Sequence, residues 1–210
     1  MILKNVEVGY LGTNCYILHN EGSEQCIVVD PGDEKRLIFE AIEEEGLRPA
    51  AIILTHGHFD HINEIPALKE RYPDVKVYCL DEESEVLGND TLNSSRRFHR
   101  ATELTPDEVF HDGDELEIAG IRFKVIATPG HTKGSCCFYF PEDDVLLSGD
   151  TLFYESIGRS DFPTGNGEEL IRSITGKLYV LPEKTKVYPG HGDVTSIAHE
   201  KAFNPFTREI

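Results

Sequence analysis

An α/β fold is predicted by two features of the sequence. Short β-forming runs alternate with segments of helical periodicity along the whole chain, and four of the predicted strands end in a glycine beside a histidine or aspartate. The most prominent of these ends is Ile52-Ile53-Leu54-Thr55-His56-Gly57-His58-Phe59-Asp60-His61, an apolar run that empties into three histidines and an aspartate within six positions. At 210 residues the chain fits a single domain over 1–210 with a sizeable core.

The elements follow in order. Ile2 to Val8, Asn14 to Leu18 and Gln25 to Asp30 are rich in β-forming residues and separated by turns at Gly12 and Gly22, which predicts an antiparallel meander. Glu34 to Glu45 places Leu37, Ile38, Ala41 and Ile42 at helical spacing and stops at Gly46. A strand over Ala50 to Leu54 delivers the histidine cluster. Gly57 lets the backbone turn so that the nearby side chains converge. A helix is expected over Ile62 to Tyr72, where Pro66 is tolerated near the start and Pro73 ends it. Val75 to Leu80 reads as a strand and Asp81 to Leu87 as a short helix. Gly88 to Pro106 has no periodicity and is expected to form an irregular segment able to roof a site. Strands follow at Glu115 to Ile118, Ile121 to Ala127, Ser135 to Phe140 and Val145 to Ser148. The chain then reads as a helix from Glu168 to Leu178, a last strand from Lys186 to Tyr188 and a closing helix from Thr195 to Ala202.

Composition narrows the function classes. The 39% hydrophobic and 28% charged fractions describe a soluble globular protein. Met1 to Tyr10 has neither a basic start nor an apolar core of signal-peptide type, and no run approaches bilayer length, so a cytoplasmic protein with no membrane partner is expected. A formal charge of −18 disfavours nucleic acid. The one basic cluster, Arg96-Arg97-Phe98-His99-Arg100, reads as a solvated loop balancing nearby acids, with contacts to an anionic substrate as the alternative. The acid-rich Asp81 to Glu85 reads as solubilising. Five cysteines, an odd number without paired metal-type spacing, fit a reduced compartment and behave as small buried hydrophobes rather than catalytic thiols.

One histidine near a strand is ordinarily a core or surface residue, but His-x-His-x-Asp-His beside a strand is a metal-binding pattern. Imidazole nitrogen and carboxylate oxygen suit zinc, iron or manganese, and taken alone this stretch predicts one cation with a position open to water. Three later strand ends repeat the device at His131, Asp150 and His191. Strand ends at one edge of a sheet lie near one another, so these separated groups can meet.

His56-x-His58-x-Asp60-His61, Pro129-Gly130-His131-Thr132, Ser148-Gly149-Asp150-Thr151 and Pro189-Gly190-His191-Gly192 together resemble the metallo-β-lactamase superfamily over essentially the whole chain. Gly149 to Phe153 followed by Gly158-Arg159-Ser160-Asp161-Phe162-Pro163 further resembles the short single-domain glyoxalase II-like hydrolases. The resemblance implies a four-layer αββα sandwich, two mixed sheets packed face to face with helices outside. It implies that His56, His58 and His131 hold one divalent metal, Asp60, His61 and His191 a second, and that Asp150 bridges them. Zinc is the expected metal, with iron or manganese as substitutes. A metal-bound hydroxide is then the nucleophile on a small-molecule thioester, a hydroxyacyl-glutathione or related acyl-thiol, while Asp60 is a ligand that can also move a proton. Arg159 and Tyr154 are expected to contact substrate, with an ion pair from Arg159 to Asp161 or Glu155 as the alternative.

Two-domain glyoxalase II proteins carry a C-terminal helical domain with glutathione contacts, and no such separate domain is expected here. The resemblance also admits an iron persulfide dioxygenase, whose family has a cysteine two residues before the arginine, where this chain has Ile157. The same fold admits lactonase or nuclease chemistry as well, and a non-catalytic metal-binding protein would keep the same ligands.

Overall fold

The computed structural model describes residues 1–208. Two six-stranded sheets stack face to face. The first runs, from edge to edge, through β1 (Ile2–Val8), β2 (Thr13–His19), β3 (Gln25–Val29), β4 (Arg48–Ile53), β5 (Lys76–Leu80) and β6 (Glu108–Phe110). The second contains β7 (Glu115–Ile118), β8 (Ile121–Ala127), β9 (Cys136–Phe140), β10 (Val145–Gly149), β13 (Lys186–Pro189) and β14 (Thr195–Ser196), in the order β14-β13-β10-β9-β8-β7. Between β10 and β13 a small hairpin forms from β11 (Leu152–Phe153) and β12 (Ser156–Ile157).

Period-two alternation sorts the apolar residues into three layers. In β2, Cys15 and Ile17 face the outer helices whereas Tyr16 and Leu18 face the second sheet. The same division separates Cys26 and Val28 from Ile27 and Val29 in β3. In the second sheet, Phe138 and Phe140 point inward and Cys137 outward. Phe110, Phe123 and Phe138 meet edge to face between the sheets, with ring centroids 5.7–6.1 Å apart. Helices α1 (Lys35–Glu43) and α3 (Ile65–Arg71) cover the outer face of the first sheet, burying Ile38, Ile42, Ile65 and Leu68. Helices α5 (Gly167–Ser173) and α6 (Ile197–Phe203) cover the second, burying Leu170 and Ile197. The fold is thus the expected four-layer αββα sandwich.

The predicted meander is present: β1, β2 and β3 pair antiparallel, and β3 to β6 continue in parallel. Some elements differ from expectation. The helix expected from Ile62 is two pieces, α2 (Phe59–Ile62) and α3, and the helix expected from Asp81 is a 3-10 turn followed by α4 (Ser84–Leu87). The closing helix begins at Ile197 rather than Thr195, because Thr195 pairs with Val187 and the Ser196 hydroxyl caps the His199 amide at 3.2 Å. The segment 88–106 is irregular apart from a 3-10 turn at Ser95–Phe98. No helix among the described residues is long and apolar enough to cross a membrane.

Helix α5 is anchored at its start. The Asn166 side chain accepts from the Glu168 and Glu169 amides at 3.1 and 3.2 Å, and the Asn166 amide donates to the Gly130 carbonyl at 2.7 Å. Asn166→Ala is expected to cost about 1 kcal/mol of stability in urea denaturation, with Asn166→Asp recovering most of it.

Candidate metal centre

The parallel strands explain why distant residues meet. β3 and β4 run the same way in the first sheet, and β8, β10 and β13 run the same way in the second, so Asp30, His56, His131, Asp150 and His191 follow strands that end at one edge. Backbone bonds tie that edge together across the sheets: the Cys136 amide donates to the Thr55 carbonyl and the Asn14 amide to the Gly190 carbonyl, each at 2.8 Å. Helix α2 then brings Asp60 and His61 in beside the same point.

All seven sequence-predicted donors converge. His56, His58 and His131 form one group of ligand atoms and Asp60, His61 and His191 another, with the atoms in each group within 4.8 Å of one another. His58 Nδ1 lies 2.8 Å from His131 Nε2, and His61 Nε2 lies 3.3 Å from His191 Nε2. Asp150 sits between the groups, Oδ1 at 3.5 Å from His61 Nε2 and Oδ2 at 3.5 and 3.6 Å from His131 and His191 Nε2. Asp60 Oδ2 faces His191 Nε2 at 3.3 Å and His61 Nε2 at 3.7 Å.

The donor set fits divalent cations. His56 Nε2 and Asp150 Oδ1, both within the cluster, are buried without a hydrogen-bond partner among the described residues, a costly arrangement for polar atoms in a folded protein unless an ion engages them. Nitrogens bound at 2.0–2.1 Å to a tetrahedral ion lie about 3.3 Å apart, as His61 and His191 do.

Four of the five rings are held from behind. Nδ1 of His56 contacts the Thr55 hydroxyl at 3.1 Å, that of His61 the Asp30 carboxylate at 3.0 Å, that of His131 the Arg159 carbonyl at 2.6 Å, and that of His191 the Leu11 carbonyl at 3.1 Å. Such contacts fix the tautomer and aim Nε2 at the centre. His58 is turned the other way, with Nδ1 inward and its ring packed on Phe162 at 4.6 Å.

Two acids that sequence reasoning did not place in the site support it. Asp30 follows β3 in the left-handed region, φ 51°, and accepts from the Thr55 amide at 2.8 Å, the Thr55 hydroxyl at 2.6 Å and His61. Glu83 is fully buried; it accepts from the Gly57 amide at 2.7 Å, between His56 and His58, and from the Thr132 hydroxyl and Gly134 amide at 2.8 and 3.0 Å, just after His131. Gly57 is therefore a place of close approach rather than a left-handed turn: a Cβ there would lie 3.2 Å from Glu83 Oε1 and 3.1 Å from the Leu87 amide. At Gly190 a Cβ would lie 2.3 Å from Asp150 Oδ1 and 2.8 Å from the His61 ring. At Gly190 only glycine leaves the cluster its space.

Electrostatics divide the two groups. Burial first, and then neighbouring rings, hold His56 and His58 well below the usual imidazole range, and burial lowers His131 against the pull of Asp150. Burial also acts to lower His61, but Asp150, Asp60 and Asp30 outweigh it and push the ring up to about 10. His191 is raised likewise, with burial overcome by Asp60 and Asp150. Burial opposes ionisation of Asp60, yet His61 and His191 hold it below the usual carboxylate range. Burial thus favours the neutral imidazole that ligates a cation in one group, while in the other the carboxylates pull the rings toward the charged form.

The cluster floors a cavity of about 430 Å³ walled by Leu11, Phe59, Phe98, Phe153, Ile157 and Phe162. The irregular segment does roof it, through Ser94, Arg97 and Phe98, and Phe98 stacks on Phe59 at 4.1 Å. The two predicted substrate contacts fare differently. Arg159 lines the cavity, but its guanidinium is engaged by Asp161 at 2.8 and 2.9 Å and lies 4.6 Å over the Phe162 ring, so the ion pair foreseen as the alternative is present. Tyr154 is not in the wall; it is 49% exposed and stacks on His199 at 4.9 Å, and its neighbour Phe153 takes the inward position. All five cysteines are free and buried, and burial drives their thiols upward, Cys26 and Cys79 to about 12, so none is a ready nucleophile.

The family model described as the metallo-beta-lactamase superfamily matches residues 8–191, ending on the last histidine of the cluster. A Bacillus subtilis protein named probable metallo-hydrolase YqgX is 40% identical over 97% of this chain and 96% of its own. A Haemophilus influenzae protein named hydroxyacylglutathione hydrolase GloC is 34% identical over 98% of both chains. Among solved structures, the BLEG-1 B3 metallo-beta-lactamase superposes with a TM-score of 0.93 at 36% identity over 99% of this chain and 100% of that one. TTHA1623 in a di-iron-bound form gives 0.84 at 34% identity, covering 97% and 99%. ETHE1 from Myxococcus xanthus gives 0.78 at 31% identity, covering 98% and 84%.

Proposed function

The chain belongs to the metallo-β-lactamase superfamily and carries the His and Asp metal-binding groups of a metallo-hydrolase, and from that premise we propose that it hydrolyses thioesters at a two-metal site. The observation that carries the reading is Asp150, whose two oxygens face the inner nitrogens of both donor groups at 3.5–3.6 Å. In this reading His56, His58 and His131 hold one ion, Asp60, His61 and His191 the other, and Asp150 both. Bound ions supply Lewis acidity to a carbonyl oxygen and hydroxide at neutral pH. Zinc is the proposed ion, and the di-iron form of TTHA1623 makes iron the principal substitute.

The chain's own groups do the rest. Asp60, also contacted by the Thr13 hydroxyl at 3.4 Å, stands on the cluster beside His191, where a carboxylate can accept or return a proton. The apolar wall of Phe59, Phe98, Phe153 and Phe162 suits an acyl chain and keeps bulk water from the reacting carbonyl. A thiolate, with an ordinary pKa of about 8.5, leaves without a dedicated acid, and the wall offers no cysteine or serine–histidine pair among the described residues to act as nucleophile. The hydroxyacylglutathione hydrolase name of the Haemophilus relative supports a glutathione-type carrier.

The test is turnover of S-lactoylglutathione and related thioesters by protein of measured metal content. Zinc, iron or manganese forms should exceed an Asp150→Ala control; if none does, the reading fails. β-Lactams, acyl-homoserine lactones and glutathione persulfide with oxygen-uptake detection complete the panel. Ile157, an apolar residue lining the cavity where persulfide dioxygenases have cysteine, argues for hydrolysis over sulfur oxidation.

A further inference from the structure

The basic cluster of 96–100 is not used by the chemistry above, and its arginines are not equivalent. Arg96 Nε bonds both Asp90 oxygens at 2.9 and 3.0 Å, and Arg100 bonds Asp33 at 2.9 Å and Glu64 at 3.0 Å. Between them, Arg97 has no hydrogen-bond or ion-pair partner for its guanidinium among the described residues, and it lines the metal cavity. Its place is fixed by the surroundings. The Ser95 amide donates to Asn93 Oδ1 at 2.9 Å, Phe98 stacks on Phe59, and left-handed backbone at Ser94 and His99, φ 66° and 60°, brackets the turn. A segment clamped on both sides of one unpaired cation presents that cation to the cavity.

A second cleft of about 390 Å³ adjoins the metal cavity and shares Ser94, Arg97, Arg159 and Phe162 with it. Its charged wall is Arg96, Arg97, Arg159 and Asp161. Arg159 and Asp161 neutralise one another and Asp90 neutralises Arg96, which leaves Arg97 as the uncompensated charge on that wall, in a chain of net −18. A guanidinium in this position matches a carboxylate in a two-pronged geometry.

We infer that Arg97 marks a carboxylate subsite at the junction of the two clefts, selecting thioesters whose thiol carrier bears a carboxylate remote from the reacting carbonyl. The inference rests on the thioester reading and adds the part of the substrate that this reading leaves open. The acyl group lies over the metal donors, and the carrier runs past Phe162 into the second cleft.

The experiment compares S-lactoylglutathione with its diethyl ester, in which both carboxylates are masked. Arg97→Gln should reduce the preference in kcat/KM for the free acid about tenfold, through KM rather than kcat, with part of the preference restored in Arg97→Lys. The preference should also shrink as salt is raised. Arg122→Gln, which removes an equal charge from a pair with Glu117 outside both clefts, should leave it intact. Equal losses on both substrates, or no change in preference, overturn the inference. If the parent hydrolyses no thioester, the functional reading fails separately, and the subsite is decided by calorimetry with S-methylglutathione: binding about tenfold weaker in Arg97→Gln upholds it, and equal binding overturns it.

Discussion

Replacing Asp150 by alanine is expected to lower thioester turnover by at least about a thousandfold, the equivalent of removing several kcal/mol of transition-state stabilisation. The Asp150 carboxylate faces both donor groups, so its loss leaves each of them incomplete. Metal analysis should show a stoichiometry below that of the parent, and far-UV circular dichroism should be unchanged, because the backbone bonds that bring the strand ends together do not pass through this side chain. Asp150→Glu is expected to fail as well. Oδ1 already lies against Gly190, where even a Cβ would approach to 2.3 Å, and a longer carboxylate has nowhere to extend. Substantial turnover in either variant would remove Asp150 from the role assigned to it.

The legibility of the site in the sequence depends on how its parts are written along the chain. The seven donors stand at the ends of apolar strands beside glycine or in one dense run, so strand pattern and donor type coincide and each ligand is announced twice. Asp30 obeys the same rule, at the end of Cys26 to Val29 and before Pro31-Gly32, but as a lone acid without a neighbouring histidine it reads only as the end of a strand. Glu83 is harder to find. It lies in the run Asp81-Glu82-Glu83-Ser84-Glu85, where composition suggests a solvated face, and only its spacing of three and four residues from buried Val86 and Leu87 hints at an inward direction. The sequence points to the side chain of Arg159, whereas the contact this residue makes with a donor residue is through its carbonyl to His131, which no side-chain pattern encodes.

The fold divides along similar lines. Strands β2, β3 and β4 are recognisable from their continuous apolar and β-forming runs, the mark of strands buried on both faces. β6, β11, β12 and β14 have only two or three residues each, too few for any period to register, and their pairing comes from the surrounding tertiary structure. Helix α2, which places Asp60 and His61, is a single turn and is equally silent in the sequence.

Glu83 is expected to give the largest effect of any residue outside the donor set. Its carboxylate ties the loop of His56 and His58 to the loop of His131, so Glu83→Ala leaves the Gly57 and Gly134 amides buried without acceptors, at about 1–3 kcal/mol each. Metal affinity should fall about 10–100-fold, as for other groups that orient ligands from behind. Glu83→Gln keeps the shape but turns an amide donor toward one of those N–H groups, so it should cost about 1–3 kcal/mol. The pH dependence separates charge from shape. Burial raises the Glu83 carboxyl from 4.5 to about 7 despite its three donors. A folded-state value above the unfolded one means that the contribution is fully present below about 4.5 and lost as pH rises through about 7. In its protonated form the carboxyl can donate to the Thr132 hydroxyl, which then turns to Ser135 Oγ at 2.7 Å. Urea denaturation of metal-free parent and Glu83→Gln at pH 5 and pH 8 should therefore show the larger deficit for the variant at pH 5, other titrations cancelling in the difference for sites that are not coupled to Glu83. A deficit that is constant or that grows toward pH 8 would mean that Glu83 is ionised in the folded protein throughout this range and joins the two loops as a permanent anion.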